Sequence, residues 1–427
     1  MHAVGEQTRQ PCPECGAEIR TDRRFTTWCA VCDWNVDPQR PDEPARGLKS
    51  MRRKVAQRYG ERLFGELSST DAPEPTGRTA VGLAASAVAL AVHGLTAALA
   101  AAGIGLLASG WGGPSVLLGL VLLALAWSLR PRLNRLPKDA RVLLRHDAPE
   151  LYALIDEIAA AMGTRGVDAV VVDDEPNASV THLGVRRRML TLGLPLWEVL
   201  TPQQRVALLG HELGHFTHGD TRRGMVVGTA YRSLSTWYYY VSPIRHPKPL
   251  EVIANLFYIL PRTLITGVVA LLDLLTARAS QRGEYLADTA AARAGSTEAA
   301  TGLMDRLLAA DSITTVLTRE ANSRRIRGRS RISESDADGL WETLAAHMDS
   351  IPESERERLR RVGALRGHSV DASHPPTHLR LRLLLDSKPA DASVTLGADR
   401  SERIAGELAD ARRAVAKEIV RDGFVHL

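Results

Sequence analysis

The strongest hydrophobic signal in the chain runs from Thr79 to Leu129, 51 residues without one Asp, Glu, Lys or Arg. As a single helix it would be about 76 Å long, against a hydrocarbon core of ~30 Å, so the pattern predicts two passes. The break falls at Ser109-Gly110-Trp111-Gly112-Gly113-Pro114, where glycines and proline set a turn and Trp111 suits a membrane interface. Further on, Leu151, Leu154, Ile155 and Ile158 recur at helical spacing and predict a helix over residues 148–162. The period then shortens. Residues 168–172 and 188–192 read as strands around Asn177-Ala178-Ser179-Val180, which has the residue types of an exposed sheet edge.

Val206, Leu208, Leu209 and Leu213 restore a helical pattern. Thr201 as N-cap, Pro202 in the first turn and Gln204 three residues on complete a capping box, so a helix is expected from Thr201. Two later apolar stretches, 225–241 and 252–275, are interrupted by Arg232 and by Pro261, Arg262 and Asp273. They predict membrane-facing or partly inserted helices, with buried helices of a soluble domain as the alternative. The run Trp237-Tyr238-Tyr239-Tyr240 fits an interfacial belt or a groove lining. From Ala294 onward the chain is helical, polar and charged, with Arg319–Arg331 expected as a solvated loop.

Charge adds an orientation. The net charge is only +5, but Lys and Arg bunch at 46–62, 130–145 and 319–331, a distribution suited to anionic lipid headgroups. Positive charge flanks both ends of the 79–130 hairpin and is missing from its loop, so both ends are expected in the cytoplasm of a multi-pass cell-membrane protein. His93 in the first span is expected as a tolerated packing residue. A hydrophobic run that starts at residue 79 is not a cleavable signal peptide. No phosphate-binding loop is present, and no nucleic-acid partner is expected.

All four cysteines precede residue 33, as Cys12-Pro13-Glu14-Cys15 and Cys29-Ala30-Val31-Cys32. Doubled C-x2-C knuckles match a zinc ribbon whose four thiolates hold one structural ion; two disulfides or free thiols are the alternatives. The expected order is a ribbon over 1–40 with no identified partner, a basic linker over 41–78, the hairpin over 79–130 and a domain over 131–427.

Candidate chemistry centres on His211-Glu212-Leu213-Gly214-His215. Histidines four apart on a helix share a face and can point at one ion, with Glu212 beside it to take a proton from a bound water. A satisfied pair of core histidines is the bland alternative. A catalytic zinc needs a third protein ligand. His218 is about 10 Å along the helix from His211, too far for one ion, and the metzincin pattern fails because Thr221 stands where it requires His. Glu284, with Asp288 one turn on, is the better candidate: Glu can ligate and Asp can orient a ligand histidine.

Taken in order, His211-Glu212-x-x-His215, Glu284-x-x-x-Asp288 and Ser373-His374-Pro375-Pro376-Thr377-His378-Leu379-Arg380 resemble the membrane-bound gluzincin family of HtpX heat-shock proteases and CAAX prenyl proteases. The resemblance covers about residues 130–390. It implies a mainly α fold with a small β-sheet, an α+β zincin-like metallopeptidase domain preceded by the ribbon and the hairpin. By the same resemblance Glu284 is the third zinc ligand, Asp288 and Asp220 support the ligands, His374 and Arg380 stabilise the charged intermediate, and Asn177 and Ala178 border the substrate strand. Gln281 stands where the family usually has Arg, which puts a local salt bridge in question but not the ligand set. The expectation is a membrane-anchored zinc endopeptidase acting on membrane or misfolded polypeptides. A catalytically silent scaffold and a prenyl-protein-specific peptidase are the other readings.

Overall fold

The computed structural model describes residues 8–38, 60–67, 80–109, 112–136, 139–217, 221–244, 247–327, 339–366 and 374–424. Trp111, His218, Asp220 and most of the linker lie outside them. Strands β1 (Thr8–Pro11) and β2 (Glu18–Thr21) form an antiparallel hairpin that carries the first cysteine knuckle at its turn. A short helix, α1 (residues 60–67), follows, then α2 (Ala80–Ala108) and α3 (Gly113–Leu129), which account for the charge-free run. These two helices cross at glycines: a Cβ added to Gly103 would sit 2.9 Å from the Gly119 carbonyl oxygen. Small residues let backbones approach in this way where lipid gives no hydrophobic drive between helices.

Four strands, β3 (Arg141–Leu143), β4 (Ala169–Asp173), β5 (Ala178–Leu183) and β6 (Arg187–Gly193), form one sheet in the order β3-β4-β6-β5. β4 and β6 run parallel and the other pairings are antiparallel. β5 is an edge, as its residue types predicted, whereas β3 carries too short a pattern to be foreseen. Val170 and Val172 of β4 point into the main core with helix α4 (Pro149–Ala161). Ala169 and Val171 face a smaller cluster with Leu136 and Val142, so the chain leaving α3 covers the outer face of the sheet.

After the short α5 (Leu194–Glu198) come α6 (Pro202–Gly214), α7 (Thr221–Tyr240) and α8 (Pro249–Gly295). The stretch 252–275 and the segment bearing Glu284 belong to one helix of 47 residues with Pro261 inside it. α2 and α8 are long and apolar enough to cross a membrane. Leu250, Leu256, Phe257, Leu260 and Leu264 of α8 are all more than half exposed, a continuous apolar surface of the kind that marks a membrane contact. Arg232, Asp273 and His93 each have a partner within the protein. Arg232 bonds Asn134, Asp273 accepts from the Tyr231 hydroxyl at 2.8 Å, and His93 Nε2 meets Thr229 Oγ1 at 3.1 Å. Ala89, Val92, Ala230, Leu234, Trp237 and Leu272 pack α2, α7 and α8 together.

The remainder is helical: α9 (Thr297–Leu308), α10 (Ala310–Arg327), α11 (Leu340–Asp349), α12 (Glu353–Arg366), α13 (Thr377–Asp386), α14 (Ala398–Glu407) and α15 (Ala409–Asp422). The basic stretch from Arg319 is therefore not a loop as far as Arg327. Ile313, Val316, Leu317 and Ala321 give α10 one buried face, which overrides its charged sequence.

The contact that positions the site is α6 against α8. Gly210 faces Ala291 and Ala294, Gly214 faces Ala287 and Ala290, and Gly295 faces Ala207, so the two backbones nearly touch. Gly210→Ala places a Cβ 2.6 Å from that of Ala294 and is expected to cost about 1–3 kcal/mol. Gly228→Ala, which meets nothing within 4 Å, is the control. Thermal unfolding of both variants checks this; equal midpoints would contradict it.

Candidate active site

The α6 cap forms as its sequence predicts. The Thr201 hydroxyl accepts from the Gln204 amide, and the Gln204 side chain accepts from the Thr201 N–H at 3.0 Å. The helix carries His211 and Glu212 into the interior, and His215 follows directly after its last residue, still helical in conformation. Their rings meet edge to face at 4.9 Å. From the facing helix, Glu284 places Oε2 3.5 Å from His211 Nε2 and Oε1 3.8 Å from His215 Nε2. The three ligand atoms lie within 4.8 Å of one another.

Asp288, one turn beyond Glu284, accepts from His211 Nδ1 at 3.0 Å, which turns the Nε2 edge of that ring towards Glu284. Arg380, from α13 and 1% exposed, grips both Asp288 oxygens at 2.6 and 2.8 Å. Its guanidinium is thus committed to Asp288 and also lies 3.5 Å from His211 Nδ1. His374, at the turn before α13, sets Nε2 3.1 Å from Glu284 Oε2. A cavity beside these groups is lined by Asn177, Leu196, Leu208, Glu212, Met304 and His374, among others. Ala178 opens edge strand β5 next to it. A side chain at Gly193 would overlap the carbonyl oxygens of Glu175 and Asn177, so glycine is required where the chain turns Asn177 towards the cavity.

Burial raises Glu212 to about 7, so it hovers between carboxylate and acid at neutral pH. Burial and then the neighbouring His211 lower His215 to about 4, which leaves a neutral imidazole ready to ligate. Burial opposes charge on His211, but its hydrogen bonds to Asp288 and Glu284 outweigh that and lift it to about 10. Glu284 and Asp288 are held well below the ordinary carboxylate range: against the upward push of burial, His211 dominates for Glu284 and Arg380 for Asp288. The site is therefore strongly negative at His211 Nε2, where a divalent cation would replace the proton.

The donors fit zinc. Ligands at 2.0–2.1 Å around a tetrahedral ion stand roughly 3.3–3.4 Å apart, close to the observed 3.5 and 3.8 Å. Glu284 Oε2 is buried between two imidazole nitrogens, 3.5 Å from His211 Nε2 and 3.1 Å from His374 Nε2, a cluster of donors that an ion could share. The four ribbon sulfurs make a second fit. Cys12 and Cys32 lie 3.7 Å apart and Cys15 and Cys29 3.6 Å, against about 3.8 Å for sulfurs on one tetrahedral zinc, and no disulfide joins them. Backbone hydrogen bonding from Cys32 lowers the Cys29 thiol to about 7, while at Cys32 the Trp34 backbone pulls down but is outweighed by burial and the three neighbouring sulfurs, which raise that thiol to about 12.

His211, Glu212, His215, Glu284, Asp288, His374, Arg380 and Asn177 thus come together in one place, and the four cysteines in another. Sequence reasoning missed the cavity wall of Leu303, Met304 and Leu307 on α9. Their helical spacing was visible, but not what that face packs against.

An H-E-x-x-H helix meeting a glutamate helix beside an edge strand has the construction of a metallopeptidase. Residues 145–388, more than half of the chain, match the family description "Peptidase family M48", and the chain belongs to that family. It is 29% identical over 247 residues to a protease HtpX homolog of Pyrobaculum calidifontis, covering 55% of this chain and 67% of that protein. A homolog from Pyrobaculum aerophilum is 26% identical over 283 residues, 64% of this chain and 77% of that protein. One from Methanocaldococcus jannaschii is 25% identical over 156 residues, 34% of this chain and about half of that protein, 55%. No solved structure matches the chain.

The buried Asp288–Arg380 pair gives a direct test. Arg380→Met leaves an uncompensated buried carboxylate and is expected to cost about 3–5 kcal/mol, with roughly 10–100-fold weaker zinc binding. Arg380→Met with Asp288→Leu should recover part of the stability. Calorimetry and zinc competition read both; strictly additive losses would contradict the pairing.

Proposed function

We propose that this chain is a membrane-anchored zinc-dependent endopeptidase that hydrolyses membrane or misfolded polypeptides on the cytoplasmic side. The observation that carries the reading is the convergence of His211, His215 and Glu284 on one ion-sized space with Glu212 buried beside it. Those three residues would hold the zinc. When bound, zinc supplies a Lewis acid that polarises the scissile carbonyl and makes a water acidic enough to attack at neutral pH.

The chain's own residues do the rest. Glu212, poised near neutrality, takes the proton of the attacking water and delivers it to the leaving amine. Asp288 fixes the ring of His211, and Arg380, which also lines the cavity, holds both Asp288 oxygens and so supports the ligand shell. His374 faces the cavity at the side of Glu284, and with Arg380, which lines the same cavity, it is proposed to stabilise the developing oxyanion. Asn177 and the outer edge of β5, which pairs with no strand among the described residues, offer amide and backbone hydrogen bonds to a substrate laid alongside as an additional strand. Asp220 is proposed from the family pattern alone. The exposed apolar surfaces of α2, α3 and α8 support a bilayer anchor, and the positive residues flanking the hairpin support a cytoplasmic catalytic domain.

Glu212→Gln is expected to reduce cleavage of an unfolded membrane protein by about 10²–10⁴-fold while zinc content stays unchanged. Undiminished cleavage would leave a non-catalytic scaffold as the better reading. Metal analysis of the purified full chain should find two zinc ions, one removed from the histidine site by a chelator together with activity; a single tightly held ion would contradict one of the two sites.

A further inference from the structure

The ribbon resembles a module for recruiting a partner, yet the side of it around the second cysteine knuckle is docked within the chain. Helix α12 presents a row of arginines to it. Arg358 donates to the Val36 carbonyl at 2.8 Å, Arg361 to the Ala30 carbonyl and the Asp33 carboxylate at 2.7 Å each, and Arg366 Nε to Asp37 at 2.8 Å. Trp28 returns a hydrogen bond from its indole N–H to the Ser354 carbonyl at 3.2 Å, and Arg361 lies over the Trp28 ring. The ribbon acceptors that the arginines reach, Ala30, Asp33, Val36 and Asp37, belong to, or closely follow, the second cysteine knuckle. That knuckle places Asp33 and Asn35 in left-handed conformations, φ 59° and 56°, which the four-sulfur cluster closes around. Backbone hydrogen bonds such as Asp33 N–H to the Cys29 carbonyl shape the turn, and an ion shared by the four sulfurs would tie it to the first knuckle and fix the array that α12 reads.

The other side of α12 reaches the cavity by two routes. Arg360 clamps Asp305 with two bonds, 2.8 and 2.6 Å, and Asp305 belongs to α9, whose Leu303, Met304 and Leu307 form the apolar wall beside Glu212. α12 also packs directly against α13, the helix that follows the His374 turn.

We propose that the partner of the ribbon is this chain's own helix α12, and that the metal-bound ribbon is an intramolecular clamp fixing the α9 wall and the His374 turn of the catalytic cavity. The ribbon residues are positioning residues: they touch neither metal nor substrate at the catalytic site. The inference rests on the peptidase reading of that cavity for its consequence in cleavage, but not for its structural consequence.

The test uses the full chain in detergent or nanodiscs, with hydrogen exchange measured in a Glu212→Gln background so that self-cleavage plays no part. Cys29→Ser with Cys32→Ser should lower zinc from two ions to one. It should also speed exchange roughly tenfold across residues 353–366 and 297–308 while residues 202–214 keep their protection. Arg358→Ala with Arg361→Ala should keep both zinc ions and give the same acceleration, which separates loss of docking from loss of the ribbon fold. In the background with Glu212 intact, both variants should lower kcat/KM for a polypeptide substrate about tenfold. Unchanged exchange in α12 and α9 after loss of the ribbon zinc would overturn the clamp, and so would accelerated exchange with unchanged kcat/KM. If cleavage proves independent of Glu212, it is the peptidase reading that fails, and the exchange data still decide the clamp.

Discussion

The structure depends on how closely α6 can approach α8. A zinc ion shared between two helices requires their side chains to meet within a few ångströms, and bulky residues at the crossing would hold the axes 8–10 Å apart. Gly210, Gly214 and Gly295 against Ala207, Ala287, Ala290, Ala291 and Ala294 remove that spacing. Glu284 can then rise from α8 to both imidazoles, and Asp288 reaches the back of His211 one turn along. Arg380 finishes the arrangement: a buried carboxylate is tolerated only where a cation answers it, and α13 brings that cation from nearly a hundred residues away.

The same helix links chemistry to membrane. α8 starts in the exposed apolar stretch around Leu250–Leu264 and ends buried at the catalytic centre, so one rigid element passes from the surface expected to meet lipid to the ligand Glu284 is proposed to supply. Two polar residues of this helical layer pair within the protein, Asp273 of α8 with Tyr231 and Arg232 of α7 with Asn134. Asn134 also donates to Thr181 of the edge strand at 2.8 Å, tying the exit of the hairpin to β5. Anchor, edge strand and catalytic helix are thereby held in one register.

Much of the fold was legible because it rests on local rules. The capping box at Thr201, the glycine and proline break in the charge-free run, and the alternation in β4 and β6 each act within a few residues, and each element lies where its pattern put it. The meeting of His211, His215, Glu284 and Asp288 was legible through spacing and family resemblance. What was not legible depended on packing between distant segments. Nothing local says that 252–275 and 281–288 share one helix, that Arg319–Arg327 has a buried face, or that Arg380 spends its charge on Asp288. The docking of the ribbon on α12 was invisible for the same reason, since an arginine row on a charged helix reads as solvated until its acceptors are placed.

The central claim is that two imidazoles and one carboxylate hold zinc at the junction of α6 and α8. Zinc-edge X-ray absorption on the full chain carrying Cys29→Ser and Cys32→Ser tests it with the ribbon ion removed. The account predicts one zinc with nitrogen and oxygen neighbours at about 2.0–2.2 Å, two of them imidazoles, and no sulfur. Absence of bound zinc, or a coordination shell unchanged by Glu284→Ala, would contradict it.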